Sequence, residues 1–146
     1  MGTPVSRLVA LLEKVRCRVV CEWSEYGVPP QLLETWSAHI IEELAISLKA
    51  ATAAGCDLSK VLKLVLAHEL GGELQELQVN LESGDREALL VKLSHELARV
   101  LEAKRYLRMG FKVEEALERH VQEALKAAAS IAEDRLAQLV HELLTS

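Results

Sequence analysis

The chain has 146 residues, of which 50% are apolar, 27% charged and 3% aromatic, with a formal net charge of −5. A chain of this length folds by default as one domain that buries roughly 68–70% of its unfolded surface, and so much apolar content excludes low-complexity disorder. The acidic balance argues against nucleic acid as a partner, and charges break up every run long enough to cross a membrane.

Ala, Leu, Glu and Lys dominate and strict apolar/polar alternation is missing, so the expected fold is all-α, a single-domain bundle of about five to six helices over residues 1–146. Thr3-Pro4 starts a first helix that is expected to reach about Glu22. Gly27, Pro29 and Pro30 make a connection. Beyond it Leu32, Leu33, Trp36, Ile40, Ile41, Leu44, Ile46 and Leu48 are apolar around much of a helix, predicted to be central. Gly55 ends that helix and Asp57 caps a third. Its apolar positions leave only Ser59, Lys60 and Lys63 to face water, and it stops at Gly71-Gly72.

Glu73 to Leu81 reads as a short helix, Ser83-Gly84-Asp85 as a turn, and Arg86 to Arg108 as a long helix with a charged face, closed by Gly110. Val113 to Leu144 reads as helical throughout, and Ala127-Ala128-Ala129 would let another helix approach closely. At the start, Glu13, Lys14 and Arg16 interrupt the apolar residues before a signal-like run develops. Three cysteines suit a reducing compartment. A cytoplasmic, unprocessed protein is expected.

Imidazole is both a common metal ligand and the side chain that titrates near neutrality, which makes the five histidines worth sorting. His39 and His68 sit on apolar helices, and Glu69 follows His68 directly. A shared divalent cation would give both rings and the carboxylate a partner. The alternative is that each histidine is a core residue bonded to a carbonyl. No HExxH pattern, phosphate-cradling glycine loop or GxSxG serine occurs. Cys17 and Cys21 lack the company of further ligands and read as buried structural thiols. His-Glu-Leu recurs at His68, His95 and His141 with unequal spacing, which is not a repeat, and His95 and His141 are assigned to solvent or packing. His120 shares a helix face with Glu123, as an added donor or as a surface residue.

Two segments carry a resemblance: Glu34-Thr35-Trp36-Ser37-Ala38-His39, and the stretch from Gly55-Cys56-Asp57-Leu58-Ser59-Lys60 to Ala67-His68-Glu69-Leu70. Together they resemble the HD-domain metal-dependent phosphohydrolase superfamily, in its small all-helical 5′-deoxynucleotidase-like branch. In that branch a Glu-Ser-x-Ala-x-His segment precedes an Asp-Leu-x-Lys lead-in to a helix ending in His-Asp-Leu. Trp23 and Gly27-Val28 also look like that branch's loop. The likeness covers roughly residues 8–130 and is clearest over 23–70.

The resemblance implies a divalent metal ion of the manganese, cobalt, magnesium or zinc class, held by His39, His68, Glu69 and Glu123. Glu69 and Glu123 stand where the branch has aspartates. Gly72 occupies the position of the branch's catalytic glutamate, leaving Glu73 or Glu42 to carry the proton. The branch's phosphate-binding arginine aligns at Val20, with Arg16 or Arg18 as displaced candidates and Arg18 as the one assigned to substrate. The implied substrate is a small phosphate monoester such as a nucleoside 5′-monophosphate, and the implied assembly a homodimer. Glutamate in place of aspartate keeps charge and oxygen donors while adding about 1.5 Å of reach, so metal binding can survive the exchange. Loss of a general acid/base typically removes about 10²- to 10⁴-fold of rate. The other reading, which Gly72 favours, is a catalytically silent HD-like scaffold that dimerises or binds a partner.

Overall fold

A computed structural model of the chain describes residues 2–71 and 85–146. Within them the fold is all-α. Six helices run in the order α1 (Pro4–Cys17), α2 (Trp36–Ala54), α3 (Leu58–Leu70), α4 (Arg86–Arg108), α5 (Glu114–Ile131) and α6 (Asp134–Thr145). Two short 3-10 turns, Cys21–Tyr26 and Pro30–Leu32, lie between α1 and α2. No described helix is long and apolar enough to cross a membrane.

Side-chain caps set four helix starts. Thr3 accepts from the Ser6 N–H, Thr35 from Ala38, Asp57 from Lys60 and Asp85 from Glu87. Gly55, at φ 65°, closes α2 in the left-handed region that glycine enters without a Cβ clash.

The structure departs from the expected elements in three places. The first helix ends at Cys17 rather than near Glu22, because Arg18, Val19 and Val20 turn extended and pair with residues 34–36. There the Val20 N–H donates to the Glu34 carbonyl at 2.8 Å and the Trp36 N–H to the Arg18 carbonyl at 3.1 Å. Two adjacent β-branched residues suit that conformation better than a helix. α2 begins at Trp36, leaving Leu32 in a 3-10 turn. The last helical stretch is broken at Ala132, a non-glycine residue at φ 53°, into α5 and α6. The predicted helix from Glu73 to Leu81 and the start of the turn after it lie outside the described residues. α3 buries only Val61, Leu64 and Val65, less than its composition suggests. Cys17 and Cys21 are exposed rather than buried.

α2 is central as expected and shares that place with α4, which packs against α2, α3, α5 and α6. The main apolar cluster joins these five helices through residues such as Ala50, Val65, Leu93, Leu97 and Leu136. Ala124 and Ala127 let α5 lie close along α4. A second cluster gathers the chain before α2 around the fully buried Trp23 and Tyr106, whose ring centroids are 5.4 Å apart. The Tyr106 hydroxyl accepts from the Glu34 N–H and donates to the Leu32 carbonyl, both at 2.8 Å. That pair of bonds fixes the angle at which the chain enters α2. Along α4, Arg99 and Glu102 fall between the residues of the two clusters, and a set of buried polar groups accompanies them.

Candidate metal centre

Four side chains converge where α2, the end of α3 and the middle of α4 meet. His39 and Glu43, one turn apart on α2, face Glu69 of α3 and His95 of α4, and one donor atom from each lies within 4.8 Å of all the others. His39 Nε2 is 3.2 Å from Glu69 Oε1, 3.3 Å from His95 Nδ1 and 3.6 Å from Glu43 Oε2. His95 Nδ1 is 2.9 Å from the same Glu69 oxygen and 3.6 Å from the same Glu43 oxygen.

These five separations test whether the group fits a cation. A tetrahedral ion with bonds of roughly 2.0–2.2 Å holds its donors about 3.3–3.6 Å apart, and the observed edges run from 2.9 to 3.6 Å. The Glu43 carboxylate adds a second sign, since it is fully buried and neither of its oxygens has a hydrogen-bond partner among the described residues. A buried carboxylate left that way is costly unless a cation or a proton meets it. The residues fit a divalent ion.

Electrostatics agree. Burial disfavours charge on His39, but Glu34 and Glu69 outweigh it and raise the ring to about 9. His95 also rises to about 9 against burial, through Glu43 and Glu69. Burial would raise Glu69, yet the two imidazoles hold it well below the usual carboxylate range. Burial and the neighbouring Glu69 push Glu43 up to about 7, against the pull of His95. Protons thus occupy the space between donors that a metal would take in their place.

The residues singled out in the sequence divide sharply. His39 and Glu69 are brought together as expected. His68 stays at the rim: its side chain is 43% exposed, Nε2 is 3.8 Å from Glu69 Oε1, and its ring centroid is 4.9 Å from that of His95. Its position at the end of α3 points the ring outward while the next residue, about 100° further round, points in. Burial and the neighbouring His95 lower its affinity for a proton. Glu123 is not in the group; its carboxylate is half-exposed and lies 3.3 Å from Lys92. Glu42, on α2 beside Glu43, joins Glu34 and Glu102 instead, where burial and those two carboxylates push it up to about 7. The Arg18 guanidinium stacks 4.8 Å from the centre of the Trp36 ring. Glu73 and Gly72 lie outside the described residues.

His95 and Glu43 were not anticipated. On α4, His95 falls on the stripe of Val91, Ala98 and Glu102, all buried, at spacings of three and four residues. His120, expected at the surface or as an added donor, is buried and bridges two acids: Nε2 is 2.7 Å from Glu22 and Nδ1 2.5 Å from Glu96. Glu22 also meets Arg119 at 2.5 Å and Arg99 at 3.6 Å. Arg99 lies one turn beyond His95 on α4, its side chain only 14% exposed and its Nε without a hydrogen-bond partner among the described residues.

No described protein family and no curated protein matches the chain. Among solved structures, the chain is similar to a conserved hypothetical protein from Pyrococcus furiosus. The two share 20% sequence identity and a TM-score of 0.71, over 95% of this chain and 98% of that one. The likeness concerns the fold.

Proposed function

We propose that this chain is a divalent-metal-dependent phosphohydrolase acting on a small phosphate monoester, such as a nucleoside 5′-monophosphate. What supports this most is the set of donor separations among His39, Glu43, Glu69 and His95, of which those at 3.3, 3.6 and 3.6 Å fall on the edges of a tetrahedral metal shell and those at 2.9 and 3.2 Å just short of them. When bound there, a divalent ion supplies an acidified water and polarises a phosphoryl oxygen.

The surrounding residues suit the rest of the task. Arg99, on the His95 face of α4, carries a fixed positive charge on a nearly buried guanidinium, the group best shaped to grip phosphate oxygens. His68 stands at the exposed rim with its ring biased toward the neutral form, which leaves an imidazole nitrogen there as a proton acceptor. It thereby fills the proton-carrying role for which Glu42 is turned the wrong way. A cytoplasmic location and a homodimeric assembly belong to the same reading.

A second reading, a catalytically silent scaffold braced by its metal, is favoured by one observation. Four protein donors complete a tetrahedral shell, whereas catalytic zinc sites keep a position open. Metal analysis of protein purified without chelator, followed by a screen of deoxynucleoside monophosphates with manganese, cobalt or magnesium, separates the two. Bound metal with hydrolysis supports the enzyme, and bound metal without hydrolysis the scaffold. Neither metal nor hydrolysis would end both.

A further inference from the structure

Behind the His39 ring, away from Glu69, lies a second group of acids. Glu34 on the chain entering α2, Glu42 on α2 and Glu102 on α4 each bring a carboxylate oxygen within 4.8 Å of the others. Glu34 is 3% exposed, and neither of its oxygens has a hydrogen-bond partner among the described residues; one oxygen of Glu42 is in the same condition. Glu34 Oε1 stands 3.6 Å from His39 Nδ1, beyond hydrogen-bond range.

The cations around the group do not balance it. Arg105 reaches only Glu102, at 2.6 Å, from a half-exposed position. Lys104 is directed elsewhere, its ammonium donating to the backbone carbonyls of Leu144 and Ser146. Among the described residues, three carboxylates therefore meet one guanidinium and the His39 ring, which they share with Glu69, and a buried carboxylate left short of compensation is costly. Glu42 and Glu102 also line a groove of about 350 Å³ that opens past Arg105 and Arg108, so the group can be reached from solvent.

We propose that Glu34, Glu42 and Glu102 form a second cation site, distinct from the His39 centre, that takes a hard divalent ion of the calcium or manganese kind. The donors are all oxygens, which such ions prefer and which softer ions pass over for imidazole or thiolate. Calcium takes about six to eight oxygens in a flexible arrangement and so accepts a set not arranged as a regular octahedron, which magnesium demands. Water from the groove completes the shell.

The test is ion counting by equilibrium dialysis of the full chain, stripped with chelator and then exposed to manganese alone or calcium alone. The wild type is expected to take up one more manganese ion than either Glu102→Gln or Glu42→Gln. Calcium uptake is expected to persist in His95→Ala and to be lost in both glutamine variants. Circular dichroism melts verify folding, and Glu42→Gln, at the partly exposed edge, carries the readout if Glu102→Gln does not fold. Glutamine variants that bind as many ions as the wild type overturn the proposal. So does a wild type that binds no calcium and a single manganese lost in His95→Ala, a result that leaves the His39 centre standing. A single manganese lost only in the glutamine variants upholds this site and removes the other.

Discussion

His39 Nε2 and His95 Nδ1 stand 3.3 Å apart, and the same Glu69 oxygen faces both. His95→Ala is therefore expected to weaken metal binding by more than about 100-fold, since even the loss of a residue that only orients a ligand costs about 10- to 100-fold. His68→Ala, at the rim, should change metal affinity by no more than a few-fold. Calorimetric titration of the stripped proteins with manganese or zinc checks the pair, and equal losses in the two variants would refute the assignment of His95 over His68.

Metal should brace the fold as well. An ion present at about 100 times its Kd adds about 2.7 kcal/mol to stability. For a chain of this length that corresponds to a rise in Tm of roughly 5–10 °C over chelator-treated protein. Differential scanning calorimetry with and without chelator reads the shift directly.

Glu22 and His120 give stability a pH dependence with two edges. Burial opposes the charge on Glu22, but His120, Arg99 and Arg119 hold it down at about 2, below its ordinary 4.5. Its contribution is complete above pH 4.5 and is lost as pH falls toward 2. His120 is raised above 6.5 by Glu22 and Glu96 against the effect of burial, so its contribution is complete below pH 6.5 and is lost as pH rises through the folded value. The pair thus contributes fully between pH 4.5 and 6.5. Urea unfolding across pH should show Glu22→Gln less stable by about 1.5–3 kcal/mol inside this window, with the gap narrowing on both sides.

Ala132 offers a gain. At φ 53° and ψ 48° it sits in the left-handed region, which costs an L-residue roughly 1–2 kcal/mol. Ala132→Gly should raise unfolding free energy by about 0.5–1 kcal/mol, the remainder being lost to glycine's greater freedom in the unfolded chain. An unchanged or lower denaturation midpoint would contradict this.

Tyr106→Phe removes two of the hydrogen bonds that hold the chain ahead of α2 and leaves the buried Glu34 N–H without its acceptor. A loss of about 1–3 kcal/mol is expected. Because the same bonds set where Glu34 sits, calcium uptake should weaken along with stability in the same variant.

Much of the fold was written in local chemistry. Asp57 and Asp85 cap the helices they precede, Gly55 ends α2, and α4 runs from Arg86 to Arg108 as its flanking signals indicate. Ala132 could not be read this way, because a left-handed alanine is imposed by the packing of α5 and α6 rather than by its own preference. Half of the metal group was legible, in His39 and Glu69. His95 was concealed by the charged residues beside it, Glu96 and Arg99, which suggest a solvated face when the helix is considered alone. Their partners, Glu22 and His120, come from distant parts of the chain, and only that pairing shows the face to be buried. Glu43 was concealed for the opposite reason, as one glutamate of an adjacent pair whose members turn to different sides of α2.

An imidazole has two nitrogens and, when neutral, one hydrogen to divide between them. With Nε2 of His39 given over to an ion, that hydrogen must reside on Nδ1, facing Glu34. Filling the inner centre would then leave the ring neutral, with its one hydrogen held toward the outer acids, while emptying it returns a proton to Nε2 and gives the ring a positive charge that the outer acids face as well. A single aromatic ring thus makes the two acid groups tenants of one wall, and whatever one tenant does to it the other receives in equal measure.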